Sequence, residues 1–197
     1  MSTICEVSDV FSRLRDEIFH LRHQVYVGEQ RWRQKYVDDE AQTIREPLDR
    51  NAHIYAAYVD GKLVGTVRSN YASESDLSEY FEMYGVDPDE FENAAVTSKL
   101  AVAKEFRASQ WGFKLAAATY ADGLKSGIRF SFVDCDRSMI PFYTRLGYKV
   151  YGPVTYRFPE VGEGVVMVLD AHDLENLRQT RSPFAKICQA WKEGTLA

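Results

Sequence analysis

The sequence predicts an α/β fold with a central mixed sheet flanked by helices, and three observations carry that expectation. Two runs rich in β-branched and aromatic residues, His53–Val59 and Lys62–Ser69, are joined by Asp60-Gly61. An Asp-Gly pair between such runs marks a tight hairpin, because both central residues of the turn need positive φ. Near the N-terminus the apolar residues Val10, Phe11, Leu14, Ile18, Leu21 and Val25 recur at the spacing of an amphipathic helix. From Ala95 onward, strand-like and helix-like segments alternate.

Taken in order, Thr3–Val7 suits a short strand, and Ser8 and Asp9 can cap the helix that follows. Gly28–Asp49 is polar, carries Trp32 and Tyr36, and reads as a loop or broken helix. It is long for a connection without a purpose. After the hairpin, Ser75–Tyr84 reads as a helical insertion with Pro88 just beyond it. Ala95–Ala103 reads as a buried strand, and Ser109–Lys125 as a helix ending at Ser126-Gly127. Arg129–Val133 is the next strand, and Ser138–Leu146 a helix stopped by Gly147. Tyr148–Phe158 and Gly164–Leu169 make a final strand pair, and a helical tail broken by Pro183 follows from Ala171.

A chain of 197 residues suits one domain with a real core. The expected division is 1–51 for the N-terminal helices and acceptor-side loop, 52–170 for the sheet and donor site, and 171–197 for the tail. The net charge of -5 speaks against general nucleic-acid or anionic-membrane binding. Cys5, Cys135 and Cys188 are odd in number and far apart, which excludes a disulfide framework or zinc knuckle and fits a reducing compartment. The first residues carry no secretory pattern, and no run approaches the roughly 18 apolar residues of a membrane helix. A soluble, cytoplasmic protein is expected. The histidines have no ligand-like spacing, so no metal is expected, and Cys135 reads as a buried thiol.

Leu100-Ala101-Val102 followed by Arg107, Ser109, Gln110, Trp111 and Gly112 places a strand, a turn and a helix start in succession. A helix start offers unpaired N–H groups and a positive dipole end, which suit a pyrophosphate or phosphopantetheine. Further on, Phe142-Tyr143 precedes Leu146-Gly147-Tyr148. In this order and at this separation, the two elements resemble the donor half of the GCN5-related N-acetyltransferase (GNAT) superfamily. Arg107 and Gly112 match the ends of its Arg/Gln-x-x-Gly-x-Gly/Ala motif, with Gln110 in place of the first glycine. The resemblance implies a mostly antiparallel sheet, donor contacts along Leu100–Val102 and residues 107–112, and Tyr143 as the acid that protonates the departing thiolate.

The N-terminal half narrows that resemblance. Arg22, Tyr26 and Trp32, then Glu46 and Asp49, then Arg68 after Gly65-Thr66-Val67, then Ser98-Lys99, succeed one another as in acyl-homoserine lactone synthases and long-chain N-acyl amino acid synthases. Two departures, Val96 for a glutamate and Lys99 for an arginine, favour acylation of an ordinary amine over lactone formation from S-adenosylmethionine. The resemblance implies that Glu46 and Asp49 hold and help deprotonate an ammonium group. Arg68 would clamp a carboxylate or organise those acids, with Arg22, Tyr26, Trp32, Ser98 and Lys99 around the acceptor. Backbone N–H groups of Leu100–Val102 would meet the oxyanion.

The expected function is therefore N-acyl transfer, with a medium or long chain, from acyl-coenzyme A or an acyl carrier protein to an amino acid or small amine. No cofactor is expected to be tightly bound, and the protein would act as a monomer or homodimer. Two other readings stay open: a conventional acetyl-coenzyme A acetyltransferase, and a non-catalytic module that binds acyl thioesters or carrier protein.

Overall fold

The computed structural model describes residues 1–7, 13–32, 34–107, 109–158 and 162–196. The expected caps Ser8 and Asp9, and the helix start at Val10 and Phe11, lie outside the described residues. The elements are β1 (Ser2–Glu6), α1 (Arg13–His23), β2 (Val37–Asp38), β3 (Thr43–Ile44), β4 (His53–Val59), β5 (Lys62–Tyr71) and α2 (Ser78–Tyr84). They continue with β6 (Ala94–Val102), α3 (Trp111–Lys125), β7 (Phe130–Cys135), α4 (Ile140–Leu146), β8 (Lys149–Phe158), β9 (Gly162–Asp170), α5 (Leu174–Gln179) and α6 (Phe184–Lys192).

Seven strands form one sheet in the order β1-β4-β5-β6-β7-β9-β8. It is mixed and mostly antiparallel: β1–β4, β4–β5, β7–β9 and β8–β9 are antiparallel, and β6 meets β7 in parallel. The hairpin turn has Asp60 and Gly61 at φ 49° and 79°, the two positive values that its Asp-Gly sequence demands. Among the described residues no helix is long and apolar enough to cross a membrane.

Residues gather into two compact units. The first comprises Met1–Ser69 and Ser98–Thr119; the second comprises Asn70–Thr97, Tyr120–Phe158 and the chain from Gly162 onward. In the first unit, Tyr55, Ala57, Val64 and Val67 of the hairpin pack with Trp111 and Leu115 of α3. Gly65 lets this happen: a Cβ there would lie 2.9 Å from Leu115 Cδ1 and 3.2 Å from the Ala101 carbonyl oxygen. A second cluster joins Leu21, Val25, Tyr26, Ile44, Ala101 and Ala103. In the second unit, Phe91 meets the edges of Phe130, Phe132 and Tyr151 at centroid distances of 5.1, 5.0 and 5.6 Å. Edge-to-face contacts of this kind add to simple burial.

Three expectations need correction. Leu14 is exposed (40%), and the inner face of α1 carries Arg15, Ile18, Phe19 and Arg22 instead. Gly28–Asp49 is not an unbroken loop. α1 runs into a π-helical turn, Gln24–Glu29, then come the small β2–β3 ladder and a 3-10 turn, Pro47–Asp49. α3 begins at Trp111, two residues later than expected, because Ser109 bonds back to the Phe106 carbonyl through both its N–H and its hydroxyl. The tail agrees with the expected break at Pro183: it forms two helices, and Pro183 stands at the N-cap of the second.

At the end of α4, Gly147 takes φ 108°, and a Cβ there would stand 2.6 Å from Leu177 Cδ2. Backbone strain and overpacking therefore act together. Gly147→Ala is expected to lose about 2 kcal/mol or more and melt several degrees lower in a thermal scan.

Candidate active site

The first unit contains a buried group of five charged side chains drawn from four parts of the chain. α1 contributes Arg22, the 3-10 turn contributes Asp49 with Glu46 just before it, β5 contributes Arg68, and β6 contributes Lys99. Arg22 and Arg68 are fully buried (0% exposed), and Asp49 is 2% exposed. Burial of ions at this depth is tolerated only where every charge has a partner.

The carboxylates are held at both oxygens. Asp49 Oδ1 accepts from Arg22 Nη1 at 2.8 Å and from Arg68 Nη1 at 3.2 Å, and Oδ2 accepts from the Glu46 N–H at 2.7 Å. Glu46 Oε2 lies 2.7 Å from Arg68 Nη1, and Oε1 lies 2.6 Å from Lys99 Nζ. Arg68 also donates through Nε to Ser98 Oγ at 3.1 Å. Burial by itself would raise the Asp49 pKa, but Arg22, Arg68 and the Glu46 N–H overcome it and hold the group down at about 2. Glu46 follows the same logic: burial opposes, and Arg68 and Lys99 prevail, so its pKa is lowered.

Lys99 owes its place to an irregular backbone. Consecutive residues in a strand face opposite sides of the sheet. Yet Ser98 reaches Arg68, and Lys99 reaches Glu46 on that same Arg68. The break in alternation coincides with φ 54° at Lys99, a left-handed value costly for a residue with a side chain. Lys99 Nζ also donates to Gln34 Oε1 at 3.0 Å and lies 5.7 Å from the Tyr26 ring centre. Burial lowers the Lys99 pKa; Glu46 opposes that, while Arg68 and Arg22 add to it.

Arg22 is paired on one side only. Its Nη1 meets Asp49, its Cζ lies 5.4 Å from the Phe19 ring centre, and Nε and Nη2 have no hydrogen-bond partner among the described residues. Tyr26 stacks on Trp32 with centroids 5.7 Å apart and donates its hydroxyl to the Leu100 carbonyl at 3.0 Å.

The expected donor-side residues fall differently. Parallel pairing of β6 with β7 covers Ala94–Val96, so Leu100, Ala101 and Val102 lie beyond the paired stretch. Arg107 is engaged within the protein: Nη2 lies 2.5 Å from Glu29 Oε2, and Nε donates to the Val102 carbonyl at 2.9 Å. Ser109 and Gln110 are exposed just ahead of α3. Gly112 stands in the first turn of that helix, whose first backbone bond runs from the Lys114 N–H to the Gln110 carbonyl. Trp111 is buried, with Lys114 Nζ 4.6 Å from its ring centre.

Tyr143 belongs to the second unit. It is buried (9%) and lies edge-on to Phe142 and Tyr148, at 5.1 and 5.5 Å. The Tyr148 hydroxyl, pushed up to about 12 by burial, shares a hydrogen bond of 2.9 Å with Ser131 Oγ, which meets Thr97 Oγ1 at 3.1 Å. Cys135 is buried against Met167, and burial raises its thiol to about 12, which makes it a poor nucleophile.

Two residues of the buried group went unread in the sequence. Arg15 donates to the Asp49 carbonyl at 2.6 Å and to the Val7 carbonyl at 3.0 Å, fixing the turn that carries both acids. Its signal was available: two arginines seven residues apart within the apolar stripe of α1. Gln34 has no such signal, being one polar residue in an unpatterned connection.

A family model described as the N-acyl amino acid synthase FeeM matches residues 17–170. None of the curated proteins is a significant match in sequence. Among solved structures, the CoA-dependent acyl-homoserine lactone synthase BjaI, with SAM and isopentyl-CoA, superposes with TM-score 0.71 at 19% identity, over 93% of this chain and 91% of that one. FeeM, an N-acyl amino acid synthase from uncultured soil microbes, superposes with TM-score 0.70 at 13% identity, over 94% and 97%. Escherichia coli ElaA gives 0.59 at 16% identity, over 85% and 99%. Identities this low bear on the fold alone.

Proposed function

The chain belongs to the FeeM N-acyl amino acid synthase family and is an N-acyltransferase, and from that premise we propose that it acylates an amino acid with a medium or long acyl chain. The donor is a thioester of coenzyme A or of an acyl carrier protein. The acceptor nitrogen attacks the thioester carbonyl directly, and the reaction stops at the amide.

One observation carries the choice of acceptor. The buried group sets three cations, Arg22, Arg68 and Lys99, against two carboxylates, Glu46 and Asp49. The carboxylate of an amino acid would meet this excess of cations, and Nε and Nη2 of Arg22, unbonded among the described residues, would supply donors for it. Glu46, less deeply buried than Asp49, faces the acceptor ammonium. Asp49 serves to hold both arginines in place. Val96, buried at 1% exposure, puts an apolar side chain where lactone synthases carry a glutamate, in keeping with simple amide formation.

On the donor side, Leu100–Val102, beyond the stretch of β6 paired with β7, would offer backbone hydrogen bonds to a pantetheine arm and to the oxyanion. The exposed approach to α3 suits the phosphates, with Arg107 released from Glu29 or left as its partner. Tyr143 gives its proton to the departing sulfur.

The test is mass spectrometry of lipid extracts from bacteria overproducing the protein, compared with an empty vector, together with thiol release from a series of thioester donors. A new acyl amino acid, and release that grows from acetyl to decanoyl donors, is the expected result. Release confined to acetyl-coenzyme A, or equal turnover of amines lacking a carboxylate, would overturn the reading.

A further inference from the structure

An amino acid reaches the enzyme as an ammonium ion and must lose a proton before its nitrogen can attack. The two carboxylates are poorly suited to take it. Three of their four oxygens accept from arginine or lysine, and the fourth, Asp49 Oδ2, accepts from the Glu46 N–H. Asp49, near 2, is a very weak base, and Glu46 is held below the ordinary carboxylate range by Arg68 and, for as long as it is charged, by Lys99. Arginine does not give up its proton in proteins. Lys99 is the remaining titratable group of the five. We propose that Lys99, as the free amine, is the base that takes the proton from the acceptor ammonium; the inference rests on the acceptor reading above.

The geometry supports this role. Lys99 is drawn out of strand alternation at φ 54°, and its Nζ stands beside Glu46, the carboxylate assigned above to the acceptor ammonium. Of its three N–H directions, one goes to Glu46 Oε1 and one to Gln34 Oε1. The third makes no hydrogen bond among the described residues, and the Tyr26 ring centre lies 5.7 Å from Nζ. Lys99 faces Glu46 and Asp49 of the 3-10 turn, Arg68 of β5, Arg22 of α1, and the neutral Gln34 and Tyr26. With Lys99 charged, cations outnumber carboxylates there, and Arg15 of α1 adds a further buried cation at the same turn. Burial and the two arginines favour the neutral amine at Lys99, against the pull of Glu46.

The step balances as follows. The acceptor R–NH3⁺ gives one proton to the Lys99 amine and becomes R–NH2. Its nitrogen lone pair forms the C–N bond at the thioester carbonyl, and the carbonyl electrons move to oxygen. When they return, the C–S bond breaks, and the sulfur leaves with a proton. The second nitrogen proton replaces, on the acid that protonated it, the one carried off by the sulfur, and the proton on Lys99 passes to solvent. The products are amide, thiol and one released proton.

The experiment compares wild type with Lys99→Arg and Lys99→Met, using decanoyl thioesters of coenzyme A and carrier protein with the standard amino acids. Lys99→Arg keeps the charge and the contact with Glu46 but cannot act as a base. It is expected to lower kcat/KM at neutral pH by about a hundredfold or more, with the loss shrinking at high pH as the acceptor deprotonates in water. Lys99→Met should show the same loss and the same recovery. A Lys99→Arg enzyme within about threefold of wild type, with an unchanged acidic limb, would overturn the proposal. A second readout needs no turnover: an NMR titration of lysine side-chain nitrogens, with Lys99 identified by its absence in Lys99→Arg. Lys99 is expected to lose its proton at lower pH than the other lysines, and titration alongside them would overturn the assignment. No turnover of any donor by wild type would instead sink the acyltransfer reading, which the titration does not depend on.

Discussion

Asp49→Asn is expected to lower the melting temperature by on the order of 10 °C, the largest stability effect foreseen for a single polar substitution here. Asp49 is the shared partner of Arg22 and Arg68, both fully buried. Asparagine keeps the shape but leaves Arg22 without its anion and Arg68 with Glu46 alone, a change that costs about 3–5 kcal/mol. In a chain of this size, each kcal/mol moves the melting temperature by roughly 2–4 °C. An exposed pair provides the contrast: Asp16 meets Arg45 with both side chains 58% exposed, and Asp16→Asn is expected to shift stability by at most about 0.5 kcal/mol.

The pH dependence follows with a definite sign. The Asp49 pKa is depressed, to about 2, so its contribution is present above the unfolded value near 3.8 and is lost as pH falls toward 2. That share is worth about 2 kcal/mol. Denaturant melts of wild type and Asp49→Asn should therefore converge between about pH 4 and pH 2. A constant gap across that range would mean that Asp49 is not ionised in the folded protein.

Tyr143→Phe carries the largest expected effect on turnover outside the buried charge group. If Tyr143 protonates the departing thiolate, its removal should lower kcat by about a hundredfold, with a much smaller change in KM. The hydroxyl is the only atom lost from a buried ring that keeps its edge contacts with Phe142 and Tyr148, so the fold should survive. A merely structural role is separated by the leaving group. An aryl thioester, whose thiol is more acidic, needs less help to depart, so the loss should shrink with that donor. An equal loss with aryl and alkyl thioesters would remove Tyr143 from acid catalysis.

Much of the architecture was legible in local chemistry. The Asp60-Gly61 hairpin could be read because a tight turn constrains two dihedral pairs, and the structure keeps both at positive φ. Gly147 marked the end of α4 for a similar reason. The first helix was less legible. Its periodicity could be seen, but Leu14 points to solvent while Arg15 and Arg22 turn inward. Hydrophobicity alone misassigns a face whose burial depends on acids far along the chain.

Arg22, Glu46, Asp49, Arg68, Ser98 and Lys99 could be singled out because their order and residue type resemble those of the acyl-homoserine lactone and N-acyl amino acid synthases. That much the chain determined by itself, because each strand and turn that carries them is specified by its own neighbours. Only the tertiary structure decided what they do to one another. A pKa depends on distance and burial, so a carboxylate that reads as a base in sequence becomes a weak one between two guanidinium groups. Gln34 and Arg15 joined the group through contacts 65 and 34 residues away in the chain. The turn of Lys99 toward Glu46 rests on one backbone angle that strand periodicity forbids, and only the packing around it holds that angle in place.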